Sequence, residues 1–131
     1  ETLDLKKQIR LALGDAPNPD SFYAVSKLFG ENLGRLYFEK HGIEFVGMRI
    51  GWLILEDDPS TKVGTSAEDY MRAMWLSHRD CVEAHRCALE ADVGFTNAYV
   101  ISRNERRVFD LEETERVLGY HPKDNAEDHF Q

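Results

Sequence analysis

Between residues 21 and 50 the sequence changes from a helical pattern to a strand pattern across a single glycine. From Ser21 to about His41, apolar residues recur at intervals of three and four, which is typical of an α-helix. Gly42 predicts the end of this helix, because glycine adopts the left-handed conformation of C-terminal caps without strain. The next segment, IEFVGMRI at 43–50, predicts a strand buried on at least one face.

The same alternation continues along the chain. The other predicted elements are, in chain order, a short helix over 1–14, a long loop over 51–70, a short strand over 74–76, a helix from Ser77 to about Ala91, a strand over 95–102, a helix over 111–118 and a frayed polar tail. Ser77 and Asp80 have the S-x-x-D spacing of a capping box. Helices alternating with strands predict an α/β domain with a largely parallel sheet.

The first helix carries two features that predict how it packs. Its apolar stripe is expected to face its own sheet, and consists of Phe22, Val25, Phe29, Leu33 and Leu36. Gly30 and Gly34 lie four residues apart and expose one strip of bare backbone. That strip indicates either close packing of another element or simply a weak helix.

The composition excludes several classes of partner. The chain has 131 residues, enough for one domain, and carries 24 acidic against 16 basic side chains. A net charge of −8 disfavours nucleic acids and anionic membranes, and no apolar run approaches the roughly 20 residues that span a bilayer. Cys81 and Cys87 leave a helix in different directions, so no disulfide is expected. Free thiols favour a cytoplasmic protein.

The residues that carry chemistry are Tyr23 and Lys27. Four residues apart on a helix, their side chains share one face and can meet over a common site. An ammonium beside a phenol stabilises the phenolate and lowers the phenol's pKa towards the working range of a proton-transfer group. The spacing alone is weak evidence, since such pairs also arise by chance on solvated helix faces.

The surrounding sequence strengthens this interpretation. YAVSKLFGE is followed by a helix, a glycine turn and a strand ending in R-I-G, and then by MWLSHRD and NAYVIS. From Pro19 onward the chain resembles the extended short-chain dehydrogenases, or NAD-dependent epimerase/dehydratase family, and most closely their uronate-dehydrogenase-like and archaeal sugar-dehydrogenase-like members. The resemblance implies that residues 1–131 form the C-terminal part of a single NAD(P)-binding domain. Its fold would be a Rossmann-like, doubly wound parallel sheet with the small substrate-binding region.

The resemblance also implies roles for individual residues. Tyr23 would exchange a proton with the substrate, while Lys27 would bind the nicotinamide ribose of NAD or NADP and stabilise the phenolate. The backbone at Ile50 and Gly51 would lie beside the nicotinamide, at the carboxyl end of a strand. Many members have a proline-containing turn there, whereas this chain has Ile50-Gly51-Trp52.

Two further residues are candidates for the substrate pocket. Trp52 would form part of its wall, and Arg72 would bind a substrate carboxylate or phosphate. The alternatives are ordinary packing for Trp52 and an ion pair for Arg72. A metal site at His78, Cys81 and His85 is not expected, because no fourth ligand is evident.

The expected function is that of an NAD(P)-dependent oxidoreductase or epimerase acting on a sugar, sugar acid or nucleotide sugar. No G-x-G-x-x-G occurs in the sequence, which predicts that the first half of the cofactor site lies outside this chain and that the chain alone is inactive. A regulator that only binds nucleotide, or an interaction module, are the alternatives. A homodimer is expected through the tyrosine-bearing helix, by way of Leu28, Tyr37 and the Gly30/Gly34 strip. The alternative is that the N-terminal half outside this chain covers the same surface.

Overall fold

The computed structural model describes residues 10–130. Its elements, in chain order, are α1 (Phe22–His41), β1 (Phe45–Ile50), α2 (Glu68–Met74), α3 (His78–Glu90), β2 (Phe95–Val100) and α4 (Glu112–Leu118), with 3-10 turns at Pro59–Lys62 and Ala126–His129. β1 and β2 pair in parallel, from Phe45 opposite Phe95 to Ile50 opposite Val100. The predicted α/β class with a parallel sheet is therefore confirmed.

Both ends of α1 are fixed by the caps that the sequence predicts. The Ser21 hydroxyl accepts a hydrogen bond of 3.1 Å from the Ala24 amide, satisfying one of the free N–H groups of the first turn. At the other end Gly42 adopts φ 67°, and its amide donates to the Phe38 carbonyl at 2.9 Å. β1 starts three residues later, so the helix runs back along the sheet.

The predicted orientation of α1 is wrong. The helix meets the sheet through Gly34, which lies against the Phe45 ring, and through Glu31. At 100° per residue, Phe29 projects from nearly the opposite side of the helix, and it is 68% exposed. The rest of the stripe is exposed too, with Phe22, Val25, Leu33 and Leu36 all accessible to solvent. The bare backbone of Gly34 permits the closer approach, which explains why that face packs inwards.

The core lies on both sides of the sheet and beneath the segment after β1. One cluster, between α3, β2 and α4, includes Leu76, Ala84, Val100, Leu118 and Tyr120. A second includes Met74, Tyr99, Ile101 and Leu111. A third consists of Ile54, Met71, Trp75 and Ala126, and packs the 51–70 segment against α2 and the C-terminal 3-10 turn.

Two predicted local structures are corrected. The helix α2 occupies the end of the predicted loop, because Met71, Ala73 and Met74 on one of its faces are buried. The predicted strand over 74–76 is reduced to a single parallel bridge between Trp52 and Trp75. The helix predicted over 1–14 falls mostly outside the described residues, and residues 10–14 are not helical.

The tail is ordered, contrary to the frayed tail expected from its polar sequence. The buried carboxylate of Asp80 accepts hydrogen bonds from the Lys123 and Asp124 amides at 2.9 and 3.0 Å. The buried Asn104 accepts another from the Ala126 amide at 3.0 Å. Backbone amides of the tail are thus bound by side chains from distant parts of the sequence, which local patterns do not reveal.

Asp80 also modifies the predicted capping box. The Ser77 hydroxyl accepts from the Asp80 amide at 3.0 Å, so the cap itself is confirmed. The Asp80 carboxylate does not return to the Ser77 amide, which donates to the Ser102 hydroxyl instead. Ser102 in turn donates to Asp80 at 2.7 Å, and this chain of hydrogen bonds joins α3 to the end of β2.

Candidate active site

The first two turns of α1 bring Tyr23 and Lys27 together. The Lys27 Nζ lies 5.0 Å from the centroid of the Tyr23 ring, within the range of a cation–π contact. Tyr23 is 71% exposed and Lys27 is exposed as well. The pair is therefore accessible to a ligand from the solvent.

The packing of α1 places this pair near the carboxyl end of β1. Gly34 contacts Phe45 at the start of the strand, whereas Glu31 binds Arg49 near its end, so helix and strand run in opposite directions. From Glu31 to Lys27 the helix advances about 6 Å. From Arg49 to Gly51 the strand advances about 6.6 Å. Lys27 thus lies roughly level with Gly51.

Gly51 marks a point where three stretches of backbone approach closely. Its amide donates to the Val100 carbonyl at 2.9 Å. A Cβ at this position would lie 2.2 Å from the Met74 carbonyl oxygen and 2.5 Å from Ile101 Cγ2. Only glycine fits, because a backbone carbonyl cannot move aside. Ile50, just before it, is exposed at the end of the strand.

Trp52 is held beside this point by two backbone hydrogen bonds. Its amide donates to the Met74 carbonyl at 2.6 Å, and its carbonyl accepts from the Leu76 amide at 3.1 Å. Its ring meets the Tyr70 ring edge-on, with centroids 5.4 Å apart. Partial burial raises the pKa of Tyr70, which keeps the phenol neutral.

Sequence patterns did not single out Tyr70, because it lies in a segment that resembled a loop. Tyr70 becomes a candidate only once α2 is known to form, because the burial of Met71 and Met74 places the Tyr70 ring beside Trp52. Together Trp52 and Tyr70 present an aromatic surface next to Gly51. Aromatic faces are suited to the apolar side of a ring-shaped ligand.

Arg72 lies on α2 with its guanidinium already paired. It donates to Glu68 Oε1 from Nε and Nη2 at 3.0 and 2.9 Å, and to Glu127 Oε2 from Nη1 at 2.6 Å. The guanidinium carbon also lies 3.8 Å from the centroid of the Phe130 ring. These contacts match the ion-pair alternative, and a substrate anion would have to compete with two carboxylates. Its role towards substrate stays a prediction.

The His78, Cys81 and His85 side chains have structural partners. His78 contacts the Ile54 carbonyl through Nε2 at 2.9 Å, and the Cys81 thiol lies 3.8 Å from His85 Nδ1. Among residues 10–130, no group of three or more His, Cys, Asp or Glu side chains is assembled as a metal site. Within the same residues, no helix is long and apolar enough to cross a membrane.

The sequence is similar to characterised sugar dehydrogenases, although no family model matches it. It is 44% identical over 120 residues to L-arabinose 1-dehydrogenase (NAD(P)(+)) of Haloferax volcanii, covering 88% of this chain and 47% of that enzyme. It is 40% identical over 121 residues to the NAD-dependent glucose-6-phosphate dehydrogenase of the same organism, covering 91% and 43%. The chain therefore spans less than half the length of these relatives.

The fold comparison agrees. The crystal structure of uronate dehydrogenase from Agrobacterium tumefaciens superposes with a TM-score of 0.76 at 34% identity, covering 92% of this chain and 42% of that one. A tyrosine-to-alanine mutant of that enzyme, complexed with NAD, superposes equally well, with a TM-score of 0.76. These neighbours confirm the Rossmann-like fold expected from the sequence. Over most of its length the chain is thus homologous to part of the NAD-dependent sugar dehydrogenases of the short-chain dehydrogenase/epimerase fold, of whose length it spans about two fifths.

Proposed function

We propose that this chain contributes the proton-transfer half of an NAD(P)-dependent dehydrogenase acting on a sugar or sugar acid. The observation that carries the proposal is the exposed Tyr23–Lys27 pair, level with the carboxyl end of a parallel strand. Ligands of open α/β sheets bind at that end. The substrate class is supported by the names of the relatives, which act on L-arabinose, glucose 6-phosphate and uronates.

The chain's own residues account for the proton in such an oxidation. NAD(P)⁺ supplies the acceptor for the hydride that leaves the sugar carbon. The phenolate of Tyr23 takes the proton from the hydroxyl on that carbon, so a carbonyl forms as the C–H and O–H bonds break. The Lys27 ammonium stabilises the phenolate and binds the ribose hydroxyls beside it.

The residues near Gly51 fit a nicotinamide. The main chain at Gly51 is held by the hydrogen bond from its amide to the Val100 carbonyl and by the close approach of the Met74 carbonyl, so it offers a rigid edge against which a flat ring could lie. Ile50 is exposed at the same edge and offers an apolar contact. The glycine-rich turn that receives a pyrophosphate is not in this sequence. Residues outside this chain would hold that part of the cofactor.

Trp52 and Tyr70 would form the substrate wall. Their rings meet edge-on beside Gly51, so they offer an apolar surface to one face of a sugar. Arg72 would bind a carboxylate or phosphate only by displacing Glu68 or Glu127. That competition favours a neutral sugar at this position.

A homodimer and a cytoplasmic location complete the proposal. The apolar stripe of α1 is exposed on the side away from the sheet, and a second copy would cover it through the same patch on both subunits. The proposed interface thus moves from Leu28, which is half-buried, to Phe29 and its neighbours. The free thiols of Cys81 and Cys87 suit a reducing compartment.

The test is an assay of the full protein that contains this chain, with NAD⁺ or NADP⁺ and a panel of L-arabinose, glucose, glucose 6-phosphate and glucuronate. A dehydrogenase produces a steady rise in absorbance at 340 nm with at least one of these sugars. An epimerase converts the sugar without accumulating reduced cofactor. Cofactor binding with neither reaction would contradict the proposal and support a nucleotide-binding regulator.

A further inference from the structure

A half-buried ionic cluster connects α1 to the sheet. Arg49 donates to both carboxylate oxygens of Glu31, from Nε at 2.8 Å and from Nη2 at 2.9 Å. The two side chains are only 23% and 17% exposed. Asn97, on β2, adds a third hydrogen bond from Nδ2 to Glu31 Oε2 at 3.1 Å. The carboxylate is thus held by residues from both strands.

The sheet is shaped to admit this cluster. Gly47 lies directly opposite Asn97 in the parallel register. A Cβ on Gly47 would lie 2.3 Å from Asn97 Oδ1, so any larger residue would displace the amide from beneath Glu31. The Asn97 Oδ1 is buried and has no hydrogen-bond partner among the described residues. The Asn97 side chain therefore donates to Glu31 from its nitrogen while its oxygen stays desolvated, which costs free energy.

The opposite side of the cluster holds Arg49 in place. Its guanidinium carbon lies 5.7 Å from the centroid of the Tyr99 ring, which in turn stacks on Phe109 at 4.0 Å. The hydrogen bonds to Glu31 raise the pKa of Arg49 above its ordinary value. A half-buried ion pair adds little net stability in general, because desolvation offsets the attraction. Its geometry, by contrast, is highly specific, since a bidentate pair tolerates little displacement.

We propose that Glu31 and Arg49, supported by Asn97, are positioning residues that set the rotation and the level of α1 over the sheet. This inference rests on the proposed function. Glu31 lies four residues after Lys27 and eight after Tyr23. Four residues rotate a helix by about 40° beyond a full turn, so the three side chains lie on one side of α1. Arg49 lies directly before Ile50-Gly51. One ion pair thus connects the proton-transfer residues to the strand end where the nicotinamide would lie.

The test is a charge exchange in the full, active protein. The single reversals Glu31→Arg and Arg49→Glu place like charges together and should lower kcat about 100-fold, the scale of a 1 Å misplacement. The KM for cofactor should change much less. The double variant restores an opposite pair, and Asn97 can accept from an arginine at 31 through its free Oδ1 after an amide flip. It should recover at least tenfold in kcat over either single variant.

A matched control separates positioning from stability. Arg103→Glu breaks the ion pair with Glu115, which joins the loop after β2 to α4. It should lower Tm comparably and leave kcat of the folded protein unchanged. The rescue of kcat in the double variant is the readout that a purely stabilising ion pair would not give. Reduced Tm with unchanged kcat in the Glu31 and Arg49 variants would overturn the inference.

A structural measurement decides the inference even if the protein shows no turnover. In a crystal structure of Glu31→Ala, α1 should be rotated or shifted by about 1 Å or more relative to β1, the displacement that matters for catalysis. An unshifted α1 would overturn the positioning role. Absence of turnover in the unmodified protein contradicts only the proposed function, so the two failures are distinguishable.

Discussion

At the scale of single residues, Gly30 and Gly34 have opposite roles despite their matching positions in one helix. A Cβ on Gly34 would lie 2.4 Å from two carbons of the Phe45 ring, whereas a Cβ on Gly30 would have no atom within 4 Å. The Phe45 ring cannot readily retreat, since it stacks on Phe95 with centroids 5.6 Å apart. The close packing that the glycine spacing indicated therefore occurs at Gly34 alone.

This difference predicts opposite effects of the same substitution. Gly34→Ala should lower the free energy of unfolding by about 1–3 kcal/mol, the usual cost of overpacking. Gly30→Ala should raise it by roughly 0.5–1 kcal/mol, because alanine is the better helix former. Urea denaturation of the two variants measures both values. Equal effects of the same sign would show that α1 does not lie against Phe45.

The candidate site residues were predictable to different degrees. The spacing of four predicted that the Tyr23 and Lys27 side chains meet, and the structure brings them together, while their role in catalysis stays a prediction. Tyr70 could not be found, because its position beside Trp52 depends on the burial of α2. Arg72 was identified as a cation near the site, but its two carboxylate partners include Glu127, 55 residues away.

At the scale of elements, caps were the most reliable signals. Ser21, Gly42 and Ser77 each cap a helix at the predicted boundary, since a cap is a local hydrogen bond or a local backbone angle. The helix α2 was missed because it is only seven residues long and its first residue follows Ala67, which provides no side-chain cap. The ordered tail was missed because its partners Asp80 and Asn104 are remote in sequence.

The α3 helix predicts a dependence of stability on pH. Hydrogen bonds from Arg86, at 2.6 and 2.9 Å, lower the pKa of Glu83 from 4.5 to about 2. The folded state therefore holds the carboxylate form more strongly than the unfolded state does. The resulting stabilisation is present above pH 4.5 and is lost as the pH falls towards about 2.

Glu83→Gln should accordingly reduce stability at neutral pH and have little effect at the acid end of this range. Thermal unfolding across the range measures the difference between the variant and the unmodified protein. Glu44→Gln, at an exposed position before β1, is the control for the loss of one negative charge. A difference that stays constant or grows as the pH falls would rule out the Glu83–Arg86 pair as its source.

At the scale of the whole molecule, the exposed side of α1 is the largest departure from expectation. Apolar periodicity located the stripe correctly, but periodicity does not say which face of a helix turns inwards when both faces can pack. The inward face of α1 is the one that carries Gly34, which packs against Phe45, and Glu31, which binds Arg49. The described residues leave the stripe uncovered, and we propose that a second copy covers it; the alternative is the part of the protein outside this chain.

Phe29→Asp tests this interface, since Phe29 is 68% exposed at the middle of the stripe. A buried, unpaired charge at a two-fold interface is present twice, so the dimer should dissociate. Light scattering at micromolar concentration should then give the monomer mass. Leu89→Asp, at an even more exposed apolar residue of α3, should leave the dimer intact. A monomeric unmodified protein, or a dimeric Phe29→Asp variant, would refute the interface.

The central claim is that Tyr23 transfers the proton in an NAD(P)-dependent sugar oxidation, and Tyr23→Phe in the full protein tests it most directly. The side chain is exposed, so removing its hydroxyl leaves the packing of α1 unchanged. Single-turnover formation of reduced cofactor at 340 nm, together with cofactor titration, separates chemistry from binding. We predict a loss of roughly 100-fold or more in the rate, the scale of general acid–base catalysis, with cofactor affinity nearly unchanged. A rate within a few-fold of the unmodified protein would contradict the account.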